Sequence, residues 1–157
     1  MCEQPPGAVV LGGDFNGLAI VRSLGRCGVP VCVIDDESSI ARASRYTTHA
    51  VKVPSLRDDA EVVDAVLRVG RRLGLDGWVL YPTRDEIVAA LSRRRTILER
   101  QFVVSTPTWA RVQWAWDKRN TYRRAADRGI PVPRTWTPRE VGELARLPIS
   151  YPVAIKP

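Results

Sequence analysis

Ala8-Val9-Val10-Leu11-Gly12-Gly13-Asp14-Phe15-Asn16-Gly17-Leu18-Ala19 decides the fold. The first four residues form an unbroken apolar run that halts on two glycines, the pattern of a strand buried on both faces. Leu18, Ile20, Val21 and Leu24 then recur at helical spacing, and Gly25 and Gly28 punctuate the end. Val31-Cys32-Val33-Ile34, closed by Asp35-Asp36, is a second β-branched run. Strand, helix and strand in this order predict a right-handed βαβ unit.

The alternation continues outward. His49–Val53 offers a third strand, and Asp58-Asp59 can cap a long helix with Val62, Val63, Val66, Leu67, Val69 and Leu73 on one face. Trp78-Val79-Leu80-Tyr81 predicts a fourth strand, Asp85–Leu98 a helix, and Phe102-Val103-Val104 a fifth strand. An α/β fold follows: an open parallel sheet in Rossmann- or flavodoxin-like order with helices on both faces. The texture changes after Thr106. Pro107–Trp116 is aromatic-rich, Asp117–Arg128 spells a basic helix, and Gly129-Ile130-Pro131-Val132-Pro133 a rigid exit. Arg134-Thr135-Trp136 predicts a strand, Pro138–Leu147 a short helix and Tyr151–Pro157 a last strand.

Composition narrows the class. The chain has 157 residues, 45% of them hydrophobic and 26% charged, which suits one ordinary globular domain or two small ones. No apolar run approaches the roughly 20 residues of a membrane span, and the first residues lack a signal-peptide pattern. A soluble, cytoplasmic chain without a membrane role is expected. Cys2, Cys27 and Cys32 give neither a disulfide framework nor a C-x-x-C pair. His49 is the only histidine, so no histidine metal site or triad base is available. The net charge is +7, and all but three of the 24 basic residues are Arg. That surplus raises a basic nucleic-acid-binding module as an alternative, but the arginines are scattered over several helices and spell no known binding motif, so nucleic acid is disfavoured.

The glycine turn invites a second alternative, a nicotinamide-binding oxidoreductase domain. Gly12 and Gly17 match the first and third glycines of G-x-G-x-x-G, and Asp35 matches the acid about 20 residues on. Asp14 stands where the middle glycine should be, and a carboxylate there repels a pyrophosphate. A P-loop fails as well, because Leu18-Ala19 replace its Lys and Ser/Thr. Asp14 and Asn16 suit a polar, cationic or amine-bearing ligand, or else cap the helix. Asp85 and Glu86 either complement their own helix dipole or face the ligand crevice at the sheet's carboxyl edge.

Val10–Ala19 followed by Arg22-Ser23-Leu24-Gly25 resembles the opening of ATP-grasp carboxylate–amine ligases, in particular the D-aspartate-ligase-like branch. Ser44-Arg45-Tyr46, Tyr81-Pro82-Thr83-Arg84-Asp85-Glu86, Asp117-Lys118, Gly129–Pro133 and Tyr151–Pro157 extend the resemblance along the whole chain. It implies a Rossmann-like pre-ATP-grasp substrate domain over residues 1–106, then linker helices and the first elements of a truncated ATP-grasp domain over 107–157. It implies a reaction in which ATP and Mg2+ activate a carboxylate as an acyl phosphate and an amine attacks it, with small-molecule carboxylate and amine substrates. Gly12, Gly13, Asp14, Asn16, Asp85 and Glu86 would help hold substrate, while Lys118 and Lys156 would face the nucleotide. The metal ligands and the glycine-rich flap of this superfamily are expected beyond residue 157. The 157 residues are therefore expected to hold no catalytic or metal-binding residue and to be inactive alone, whether or not they form a homo-oligomer.

Overall fold

A computed structural model of the chain describes residues 6–155. Strands β1 (Ala8–Leu11), β2 (Val31–Asp35), β3 (His49–Lys52), β4 (Val79–Pro82) and β5 (Val103–Val104) form a sheet in the order β3-β2-β1-β4-β5. Every pairing is parallel. The chain starts in the middle, runs outward to β3, then crosses to build β4 and β5 on the other side. That is the Rossmann order, one of the two expected.

Side chains of β1 alternate between two cores, as the period of two in a strand requires. Val9 and Leu11 join Cys32, Ile34 and Leu80 under α2 (Asp59–Leu73) and α3 (Asp85–Arg93), which contribute Val62, Val66, Val69, Ile87 and Leu91. Ala8 and Val10 join Val31 and Val33 on the opposite face, where α1 (Phe15–Arg26) supplies buried Val21 and half-buried Leu18, Ile20 and Leu24. Each fully buried Val, Leu or Ile contributes about 1.5–3 kcal/mol through removal from water. Asp58 caps α2 by accepting the N–H groups of Ala60 and Glu61, and Gly74 ends it at φ 66°. Burial pushes the Cys32 thiol up to about 12 against the opposing charge of Arg72, so this cysteine is an inert core residue.

The expected helix over Asp85–Leu98 breaks at Arg94 into α3 and α4 (Arg95–Leu98). α5 (Trp109–Trp116) closes the first compact unit, which runs to Trp116 and so takes in the aromatic stretch beyond residue 106. In α5, Trp109 and Trp116 meet edge to face at 6.3 Å, and the Arg93 guanidinium lies 4.0 Å above the Trp109 ring.

The second unit, from Asp117, holds α6 (Lys118–Ala126) and α7 (Val141–Leu144). Three expectations change here. Arg134-Thr135-Trp136 is not a strand, because Pro131, Pro133 and Pro138 around it have no N–H for a ladder. The helix expected over Pro138–Leu147 shortens to α7, which contains Gly142 and has no side-chain cap bond. Tyr151–Ile155 is not a strand either: no neighbouring strand stands beside it among the described residues, and Tyr151 and Ile155 are exposed. Residues 156–157 of that expected strand lie outside the described residues. None of the described residues of this unit is buried.

Candidate functional site

β1 ends at Leu11 and the chain reverses through Gly12, at φ 92°. A Cβ on Gly12 would come 2.3 Å from Thr83 Oγ1, so only glycine fits both the backbone angle and the space. The Thr83 hydroxyl and N–H both donate to the Leu11 carbonyl, at 3.0 and 3.1 Å. This clasp brings the β1–α1 turn (Gly12, Gly13 and Asp14), with Asn16 in the first turn of α1, beside the β4–α3 turn (Thr83 and Arg84), with Asp85 and Glu86 in the first turn of α3. Both lie at the carboxyl edge of the sheet, where open α/β folds bind ligands.

The protein's own carboxylates already occupy the donors of the glycine turn. The Gly13 N–H donates to Asp35 Oδ2 at 2.7 Å, and Asp14 Oδ1 accepts from the N–H groups of Asn16 and Gly17 at 3.0 and 3.1 Å. Asp14 is thus the helix cap, and Asn16 lies inside the helix it caps. A Cβ on Gly13 would meet Ser39 Oγ at 2.1 Å, so the loop after β2 packs directly on the turn. A pyrophosphate needs those same N–H groups and that same close approach. Asp35 is only 3% exposed and turns toward the backbone instead of presenting its carboxylate to a ribose. These features argue against a dinucleotide at this turn.

Arg84 is the centre of the edge. Its Nη2 lies 2.7 Å from Asp36 Oδ1 and 3.5 Å from Asp35 Oδ1, and its Nε lies 3.8 Å from Glu86 Oε1. Burial by itself raises the Asp36 carboxyl, but the hydrogen bond and charge of Arg84 and the Leu56 N–H outweigh it, holding the group below the usual 3.8. Burial likewise disfavours the Arg84 cation, and its hydrogen bond to Asp36 and the surrounding carboxylates reverse that effect. Three carboxylates around one guanidinium leave this edge net anionic in a chain of net charge +7. Such an edge favours a cationic or amine-bearing group over a free anion.

The six expected substrate residues fall into these two adjacent turns and the helix starts that follow them, with Asp14, Asn16 and Asp85 exposed and Glu86 partly so. Sequence reasoning did not single out Thr83, Arg84, Asp36 or Ser39. Arg84 lay inside the resemblance and Asp36 closed β2, but nothing in a sequence couples positions 48 residues apart. Lys118 is exposed at the start of α6, after its cap Asp117, in the second unit. Lys156 lies outside the described residues. Among the described residues no group of three or more His, Cys, Asp or Glu is placed to hold a metal ion. They do not make up a magnesium site, and Lys118 is the one expected nucleotide contact among them. No helix among them is long and apolar enough to cross a membrane.

No family model matches the chain, and no curated protein does. Solved structures do resemble it. Glycinamide-RNase-transformylase T from Mycobacterium tuberculosis is 24% identical at a TM-score of 0.63, over 88% of this chain and 37% of that one. The biotin carboxylase domain of a single-chain bacterial carboxylase is 20% identical at 0.58, over 80% and 30%. An L-amino acid ligase from Bacillus licheniformis is 14% identical at 0.66, over 96% and 36%. At such identities the likeness is one of fold, and the fold is the Rossmann-like α/β arrangement expected of a pre-ATP-grasp portion. The chain spans little more than a third of the longest-covered of these proteins.

Proposed function

We propose that the chain is the N-terminal, substrate-holding part of an ATP-dependent carboxylate–amine ligase that works through an acyl phosphate. The observation that carries this reading is the fold likeness over 96% of the chain to an enzyme named for ligating L-amino acids. The net anionic edge around Arg84 supports it, since an amine substrate needs a counter-charge beside it. In this reading residues 1–106 hold substrate, the turns at Gly12–Asn16 and at Asp85 and Glu86 contact it, and residues 107–157 begin the ATP-grasp domain. Lys118 and Lys156 contact the phosphates of ATP as fixed point charges. The magnesium ligands and the flap come from other parts of the protein, and the 157 residues bind without catalysing. The protein works in the cytoplasm on small carboxylates and amines.

The protein at its full natural length, given ATP, Mg2+ and a matrix of amino acids and primary amines, tests the reading. The expected result is release of ADP and phosphate that requires one acid and one amine together, with an amide as product. Release of AMP and pyrophosphate, or no turnover with any pair, overturns it.

A further inference from the structure

Charge is segregated in the first unit. Residues 18–34 and 38–57 contain no Asp or Glu, and they carry Arg22, Arg26, Arg42 and Arg45. The two segments pack together. The short 3-10 helix Ile40–Ala43 lies against α1, and the Ala41 N–H donates to the Gly13 carbonyl at 3.0 Å. Successive residues turn about 100° around a helix axis, so Arg22 and Arg26 fall on the side of α1 where Gly25 meets Tyr46.

Tyr46 gathers these cations. A Cβ on Gly25 would come 2.5 Å from Tyr46 Cβ, so glycine at this point of α1 is what lets the tyrosine lie against the helix. Arg45 Nη2 donates to the Tyr46 hydroxyl at 2.7 Å, and its guanidinium lies 4.8 Å from the ring centre. Arg26 acts on the same hydroxyl, and the two cations, Arg45 foremost, hold the phenol below its usual 10.0. Arg42 gives one N–H to the Glu37 carbonyl at 3.4 Å and keeps a buried Nε without a partner. None of the four is ion-paired with a carboxylate among the described residues. A cation suits the last turn of α1 at Arg26. Arg22, one turn before it, only adds repulsion.

We infer that this face docks an extended acidic segment of a protein partner, whose carboxylates are taken by Arg22, Arg26 and Arg45. A guanidinium grips a carboxylate with paired N–H donors. Alternate side chains of an extended chain share one face and recur about every 6.6 Å. Arg22 and Arg26 stand about 6 Å apart along the helix axis, which matches that repeat. A nucleic acid fits less well. Tyr46 is the only aromatic residue of the two segments, and it is held between Arg45 and Gly25, so no ring is offered for bases to stack on. The inference does not depend on the ligase reading: a protein that docks the acidic segment but turns over no ATP keeps this surface and loses that reading.

Fluorescence anisotropy with a labelled alternating Glu-Ser peptide, and with a single-stranded RNA of equal charge, tests the surface. The peptide is expected to bind the chain at low salt and to weaken as salt rises. Joint substitution Arg26→Gln and Arg45→Gln is expected to weaken it at least tenfold, and Arg22→Gln alone to weaken it in part, with unchanged circular dichroism. Arg71→Gln with Arg72→Gln removes the same charge from the last turn of α2, on the other face of the sheet, and is expected to leave binding nearly unchanged. Three results overturn the inference: no binding of the peptide at about 1 mM, equal losses from the two double substitutions, or RNA that binds more tightly than the peptide through Arg26 and Arg45.

Discussion

Arg84 and Asp36 are 48 residues apart in the chain, yet their Nη2 and Oδ1 atoms lie 2.7 Å apart at the carboxyl edge of the sheet. The contact joins the turn after β2 to the turn after β4, across β1. Only 5% of the Asp36 side chain and 21% of the Arg84 side chain are exposed, so the pair lies largely out of water.

Removing Arg84 leaves Asp35 and Asp36 buried and facing each other without a counter-charge. Arg84→Met should cost about 3 kcal/mol of stability, as broken buried pairs do, and Arg84→Lys should recover only part of it. A lysine offers one point charge where the guanidinium reaches two carboxylates. Urea titration of the three proteins measures the series, and an Arg84→Met protein as stable as the parent refutes it.

The pair has a pH signature. The folded Asp36 carboxyl titrates below its unfolded value of 3.8, so its contribution is fully present above that value and disappears as pH falls through the folded pKa. The stability gap between the parent and Asp36→Asn should therefore be constant above about pH 5 and should shrink below 3.8. A gap independent of pH down to the acid transition contradicts the ion pair.

Glycines at the turn differ sharply from those elsewhere. A Cβ on Gly17 would meet the Gly12 carbonyl oxygen at 2.3 Å, whereas one on Gly142 meets nothing within 4 Å. Gly17→Ala should cost about 3 kcal/mol through overpacking against backbone, and Gly142→Ala should be neutral or slightly stabilising because alanine favours the helix. Thermal melts of both variants check the contrast.

The sheet was legible because β1, β2 and β4 are dense apolar runs bounded by Gly, Asp and Pro, and the long α2 carries both of its end signals. Past Thr106 the apolar residues have no such frame. Val153 and Ile155 looked like strand residues from composition, but a strand needs a neighbour, and none stands beside them among the described residues. The site was half legible. Turn chemistry and helix position put Gly12, Asp14 and Glu86 at the carboxyl edge of the sheet, where the structure has them, while the place of Arg84 depends on a contact between distant turns. The Asp14 position ruled against a dinucleotide for a sound reason, and the structure adds a second one: Asp14 itself takes the N–H groups that a pyrophosphate would need.

That second reason gives a binding prediction. NAD+ and NADP+ should bind no tighter than about 1 mM, because the donors on Gly13, Asn16 and Gly17 are already bonded. A micromolar constant by calorimetry would restore the oxidoreductase alternative.

Lys156 is the proposed phosphate contact on which the nucleotide reading leans most. In the full-length protein Lys156→Ala should weaken ATP binding or turnover at least tenfold, equivalent to about 1.4 kcal/mol. Unaltered kinetics would make this lysine a structural residue.

The central claim, that ATP activates a carboxylate as an acyl phosphate before an amine attacks, is tested most directly by oxygen tracing. The acid substrate is labelled with 18O in its carboxylate and turned over by the full-length protein with ATP, Mg2+ and the amine. One carboxylate oxygen attacks the γ-phosphorus, and the same oxygen departs on phosphate when the amine forms the amide. The account predicts one 18O atom in each inorganic phosphate released. Label in AMP, or phosphate free of label, would contradict it.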